Sequence, residues 1–328
     1  MATPSTTLGS ASPVTGSRSF LARLREGDEL ARLITFLFAA SVVLITILLV
    51  YQLWVNSVLP RHKFGFRFFV TSVWDPIMDE YGALPFIYGT LVTSAVALLI
   101  AVPLGIGAAI FLAELAPPRV SDMLQFFIDL LAAVPSVIYG LLGVFIIVPL
   151  MRTVIAPALI KTLGFLPVFK GPSYGVGFFT AGIVMAIMVI PYIISVSREV
   201  LLSVPRDQRE AALALGSTRW ESTWKVVVPF AKTGIMGSIF LAMARALGET
   251  MAVTMVIGNS PKIAASLFAP GYSIAAVIAN EFTEATGDLY LQSLVYLGLV
   301  LFLLTFLLNG MARLLILATT QKGSKVAA

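Results

Sequence analysis

Apolar residues run along this chain in six long blocks, and nearly all of its charge is gathered in the shorter stretches between them. A helix needs about 20 mainly apolar residues to cross a bilayer, because its backbone polar groups find no water there and must pair within the segment. The blocks 33–59, 82–113, 123–151, 174–197, 233–257 and 289–312 all reach that length and predict six membrane-spanning helices. The second contains Pro103, Gly105 and Gly107, so it is expected to be irregular near its exit; the third carries Asp129 near its start and Pro135 inside it. The double proline of ELAPPRVSD (114–122) cannot continue a helix and reads as a turn. A polar, aromatic connector occupies 61–81, and a loop with short interfacial pieces is expected over 152–173. A long connector over 258–288 includes an amphipathic helix beginning near Ser273.

These blocks divide the chain into four parts: a disordered N-terminal tail (1–30), a first transmembrane helix (31–60), a core (82–318) and a basic tail (319–328). The tail reading rests on the Ser/Thr/Pro/Gly-rich opening. The first apolar block is too long for a signal-peptide core, so it is expected to be retained.

Composition agrees with the pattern. Hydrophobic residues make up 58% and charged residues 12% of the 328, with a mean hydropathy of +0.95, well beyond the range of a soluble globular domain. With no cysteine there can be no disulfide, thiolate metal site or cysteine nucleophile, and His62, the sole histidine, has no companion for a metal site. The net charge of +5 is scattered over several connectors, which disfavours nucleic-acid binding. With the N-terminus placed inside, Lys and Arg are twice as frequent on the inner side as on the outer, which puts both termini and residues 198–232 in the cytoplasm.

The segment 210–229, EAALALGSTRWESTWKVVVP, is the polar island within that inner region. It predicts two short helices with a bend. Pro205 suits a first turn, and Gln208, Ala211, Ala212 and Leu215 follow at helical spacing. Gly216 stops the first helix. Thr218 and Glu221 fit a capping box opening the second, on which Trp220, Trp224 and Val227 share a face, and Pro229 closes it. Composition leaves two readings open, a docking handle for another protein and an amphipathic helix on the lipid surface.

The spacing of this island resembles the EAA loop of permease subunits of ABC importers: Glu210, Ala211 and Ala212, then Gly216, then Pro229, with Val226 and Val228 where Ile and Leu are usual. The resemblance implies the type I importer bundle and docking of the loop in a cleft of an ATPase subunit. The chain has no Gly-Lys dipeptide and hence no phosphate-binding loop, so it is expected to be no enzyme and to bind no cofactor; ATP and Mg would sit on the partner ATPase.

In the fifth block, Arg245 lies about midway. An arginine at that depth costs roughly 2.5 to 3.5 kcal/mol on insertion scales, so it is expected to face a cavity or partner. Glu249 follows at i+4, and on a continuous helix Ser238, Arg245, Glu249 and Asn259 form one polar stripe. Two readings stand here, a buried ion pair that positions helices and an anion pathway in which the guanidinium grips an oxyanion.

The run ARALGETMAVTMVIGN (244–259) resembles the span-five signature of phosphate-specific transport permeases, C-type, and AAVPSVIYG (132–140) and IANEFTEA (278–285) resemble their third span and outer connector. Pro135 removes a backbone hydrogen bond and is expected to bend the helix, and Ser136 and Tyr139 beside that bend are candidate pathway residues or interhelical hydrogen-bonding groups. The resemblance implies a multi-pass protein of the bacterial inner membrane that imports inorganic phosphate. Its partners would be a second, A-type permease, two ATPase subunits and an extracytoplasmic phosphate-binding protein. Sulfate or molybdate is the chemical alternative, and an ion-coupled secondary phosphate transporter the mechanistic one.

Overall fold

The computed structural model describes residues 28–324; the expectations for 1–27 and 325–328 lie outside the described residues. The chain divides into two units, 1–52 and 53–328. Helix α1 (Asp28–Val55), most of which falls in the first, carries the first apolar block, and from Leu30 to Gln52 its side chains are mostly exposed within the chain.

The second unit opens with α2 (Val58–Phe64) and the turn α3 (Arg67–Val70), then pairs β1 (Trp74–Asp75) with β2 (Glu80–Tyr81), Trp74 opposite Tyr81. The remaining helices are α4 (Leu84–Leu115), α5 (Pro118–Ala132), α6 (Ser136–Leu163), α7 (Phe178–Leu202), α8 (Arg206–Ala214), α9 (Arg219–Leu247), α10 (Met251–Val256), α11 (Ile274–Glu281) and α12 (Asp288–Ser324). Among the described residues, α1, α4, α6, α7, α9 and α12 are long and apolar enough to cross a membrane.

α7 is the centre of this unit: 61% of its most apolar stretch is buried, against 28 to 33% in α4, α6, α9 and α12. It packs along α4 through a column of small residues at four-residue spacing, Ala97, Ala101, Gly105 and Ala109, all buried. Lipid supplies no hydrophobic drive for helix association, so close backbone approach through small side chains does the joining. A Cβ on Gly105 would come within 2.7 Å of Ile193.

Among the described residues, four π-helical segments interrupt or end the spans: Phe111–Leu115, Gly143–Ile147, Met151–Ile155 and Thr223–Val227. Each ends two residues before a proline, namely Pro117, Pro149, Pro157 and Pro229. A proline ring has no N–H and collides with the carbonyl four residues back. The extra residue in the turn moves that carbonyl away, and the residue before each proline bonds five residues back, as Val148 does to Gly143 and Val228 to Thr223.

Three expectations are corrected here. The third span begins at Ser136, not at 123: Ala133 and Val134 close α5, and Pro135, with ψ 140, is extended and separates it from α6. The region 152–173 is helical through Leu163 instead of a loop, its prolines accommodated by the π turns. Pro229 does not close the second island helix; the π turn ahead of it lets α9 run unbroken from the island to Leu247.

The connectors 61–83 and 258–288 gather aromatic rings together with the adjoining ends of α4 and α12. Trp74, Tyr81, Phe86, Tyr272, Tyr290 and Tyr296 pack over the ends of α4 and α12, and Glu281 accepts from Trp74 Nε1 (2.8 Å) and from the Tyr290 hydroxyl (2.7 Å). Burial, then the neighbouring Asp79 carboxylate, pushes Tyr81 up to about 12, which keeps the phenol neutral inside this cluster.

Candidate coupling segment and translocation face

The island folds as two elements. α8 opens on Pro205, whose extended backbone (ψ 140) leads into the helix, and ends in a left-handed Gly216 (φ +86). The Gly216 N–H donates to the Leu213 carbonyl (2.9 Å) and the Ser217 N–H to Ala212 (3.2 Å), the paired bonds of a Schellman stop. α9 then opens on a complete capping box: the Thr218 hydroxyl accepts from the Glu221 N–H, and the Glu221 carboxylate accepts from the Thr218 N–H. Trp220 and Trp224 meet edge to face at 5.6 Å and both are exposed, while Val227 is buried.

The face expected for Gln208, Ala211, Ala212 and Leu215 is not buried as a unit. Ala212 is buried, but Ala211 is exposed, and Leu215, beyond the helix end, is 89% exposed. Glu210 is exposed and lines a cleft of about 360 Å³ with Ala113, Glu114, Leu202, Arg206 and Arg209. The island therefore presents a free carboxylate, an apolar tip at Leu215 and two tryptophans.

The mid-span residues are arranged by two helix breaks. α5 and α6 are interrupted at 133–135, α9 and α10 at 248–250. α6 and α10 pack in parallel, so closely that a Cβ on Gly140 would reach the Met255 sulfur at 2.6 Å and the Ala252 Cα at 3.2 Å.

Arg245 is in the last turn of α9 before its break, exposed, its guanidinium 5.7 Å from the centroid of the Tyr192 ring. The expected Arg245–Glu249 pair is absent from the ion pairs of the described residues. The helix stops at Leu247, so the i+4 relation is lost, and Glu249 instead accepts from the Ala252 N–H (3.2 Å) at the start of α10. The continuous stripe is lost for the same reason. Ser238 is buried and shares a hydrogen bond of 2.7 Å with Ser197, and Asn259 sits beyond α10 in a left-handed turn (φ +50). Ser136 is half-buried at the first position of α6, and the Tyr139 hydroxyl donates to the Leu131 carbonyl (2.7 Å), bracing the break between α5 and α6.

A polar seam between α5 and α7 was not singled out from the sequence. Gln125 Nε2 donates to Asp129 (2.6 Å) and to Ser195 (2.9 Å), and the Ser195 hydroxyl donates to Asp129 (2.8 Å). One turn further along α7, Arg198 donates to Ser121 (3.0 Å) and Asp122 (3.3 Å). The available signal was the spacing 121/122, 125 and 129, a helical polar face hidden by treating 123–151 as one apolar block.

Residues 101–320 match the family described as the inner membrane component of binding-protein-dependent transport systems. The chain belongs to that family. It is 47% identical over 285 residues to the phosphate transport system permease protein PstC of Mesorhizobium japonicum, covering 85% of this chain and 87% of that one. The PstC of Pasteurella multocida is 51% identical (79% and 82% covered), and that of Haemophilus influenzae 45% identical (91% and 96% covered). Among solved structures, the MetNI methionine ABC transporter in an inward-facing conformation shares the fold at a TM-score of 0.52 and 15% identity, over 75% of this chain and 99% of that one. A bacterial ABC transporter that imports alginate does so at 0.51 and 16%, over 86% and 98%.

Proposed function

We propose that this chain is the membrane-spanning permease subunit of an ATP-driven inorganic phosphate importer, supplying half of the pathway. The observation that carries the proposal is Arg245, a guanidinium in the apolar interior of a span, exposed on the chain's own surface and free of any carboxylate partner among the described residues. Such a group is costly against lipid and suited to an oxyanion against a second permease half. Arg245, Glu249, Ser136, Tyr139 and Asn259 are proposed as residues of the pathway, Tyr139 through the helix break it braces. The names of the PstC relatives supply the cargo.

Glu210, Ala211, Ala212, Gly216 and Pro229 are proposed as the coupling segment that docks on a separate ATPase. Closing of two such ATPase subunits on ATP would pull α8, and the unbroken α9 would carry that pull to Arg245. The importer switches between inward- and outward-open arrangements as a rigid-body motion, with no covalent chemistry in this chain. Its partners are a second, A-type permease, two ATPases that hold ATP and Mg, and an extracytoplasmic phosphate-binding protein. Residues 1–30 and 319–328 are proposed to flank the membrane core on the cytoplasmic side.

The test is uptake of radiolabelled phosphate into vesicles holding the purified complex, with sulfate and molybdate as competitors. ATP-dependent uptake that neither competitor displaces supports the proposal. Preferential displacement by either moves the cargo to that oxyanion, and uptake driven by a proton gradient without ATP overturns the mechanism.

A further inference from the structure

Arg209 and Glu114 stand 95 positions apart in the chain and meet where three helices end. Arg209 Nη2 lies 2.8 Å from Glu114 Oε1, and its Nε is 3.2 Å from both carboxylate oxygens, a forked contact that fixes the orientation of both side chains. The remaining donors go to backbone: Nη2 to the Leu201 carbonyl (2.7 Å) and Nη1 to the Val204 carbonyl. The Leu201 carbonyl lies in the last turn of α7 and the Val204 carbonyl in the short link that follows it. Glu114 lies in the π turn that ends α4. One guanidinium on α8 thus ties together the ends of α4 and α7.

The environment distinguishes this pair from the others. Its side chains are 20% and 10% exposed, whereas every other ion pair among the described residues includes a carboxylate at least 43% exposed. A pair enclosed to this extent is screened less by solvent than the exposed pairs, so removing one partner costs more. The chain itself joins α7 to α8 only through Ser203, Val204 and Pro205, three residues that would act as a hinge.

We infer that Arg209 and Glu114 form a brace that turns this hinge into a fixed elbow, so that α8 moves as one body with α4 and α7. The inference rests on α8 being the coupling helix. Arg209 is then a positioning residue: it touches neither cargo nor ATP, and sets whether motion of α8 reaches α4 and α7. Without it, α8 can follow the ATPase while α4 and α7 stay behind.

The experiment uses the whole importer in proteoliposomes and measures phosphate imported per ATP hydrolysed, together with the ATPase retained on purification. Arg209→Gln and Glu114→Gln are each expected to keep the ATPase and its hydrolysis while the ratio falls by about tenfold, a usual size for coupling between sites. The double variant is expected to fall no further than the worse single, because both remove one interaction. An unchanged ratio in both singles overturns the brace. So does a double-variant loss equal to the product of the single losses, and so does loss of the ATPase from either single, which would make Arg209 a partner contact. Loss of the whole complex in both singles also overturns it, in favour of a purely structural pair. A Gly216→Val variant run beside them separates the two readings: if it keeps full docking and full coupling, α8 is not the coupling helix, whatever the brace variants do.

Discussion

A guanidinium placed inside an apolar span must find a partner, and Arg245 lies over the face of Tyr192, with no carboxylate paired to it among the described residues. The cation–π contact is worth roughly 0.5 to 2 kcal/mol, less than the roughly 2.5 to 3.5 kcal/mol that insertion of an arginine costs. The balance must come from cargo, water or a partner chain. Arg245→Ala is therefore expected to abolish phosphate uptake while the complex still assembles with its ATPase. Arg245→Lys keeps the charge but loses the fork, and is expected to retain a fraction of the uptake; uptake by the two variants and wild type side by side checks both. Glu249 also has a structural part. Its carboxylate caps α10, so Glu249→Ala is expected to cost about 1 kcal/mol of stability, as cap removal does elsewhere. Glu249→Gln keeps an acceptor for the Ala252 N–H, and its thermal midpoint should stay near wild type.

At the scale of elements, the stops and turns decide more than the helices. Gly216 holds φ +86 with open space around it, so substitution there tests conformation alone. Asn tolerates the left-handed region far better than a β-branched residue. Gly216→Asn is expected to leave ATPase recruitment near normal and Gly216→Val to reduce it, as measured by co-purification. The Pro229 π turn makes a second test. Pro229→Ala restores the missing N–H, so the stretch 223–229 can return to regular α-helix, which turns the island by about 100° against the rest of α9. Cryo-electron microscopy of that variant should show a regular turn and uptake should fall; a retained π turn with full uptake would mean that the proline does not set it.

For the whole molecule, the six spans were legible because each is a long apolar run, and burial in lipid reads that property directly. The capping box at Thr218 and the stop at Gly216 were legible for a local reason: each depends on residues within about one turn. At 133–135 a bend at Pro135 was legible but not a full break, and the break at 248–250 was not legible, since hydropathy continues across both and helical spacing assumes a continuous helix. That assumption made Arg245 and Glu249 a pair and drew Asn259 into their stripe. The Gln125–Asp129–Ser195 cluster and the Arg209–Glu114 brace join residues 66 to 95 positions apart. Contacts of that range are set by how α4, α5, α7 and α8 pack, which no local pattern states.

The central claim is that this chain carries phosphate across the membrane on ATP consumed elsewhere, through a pathway that depends on Arg245. Phosphate uptake by the purified four-component importer in vesicles, wild type against Arg245→Ala, tests it most directly. The account predicts ATP-dependent uptake in the wild type and background levels in the variant, with equal ATPase content. Wild-type uptake by Arg245→Ala, or uptake that needs no ATP, would contradict it.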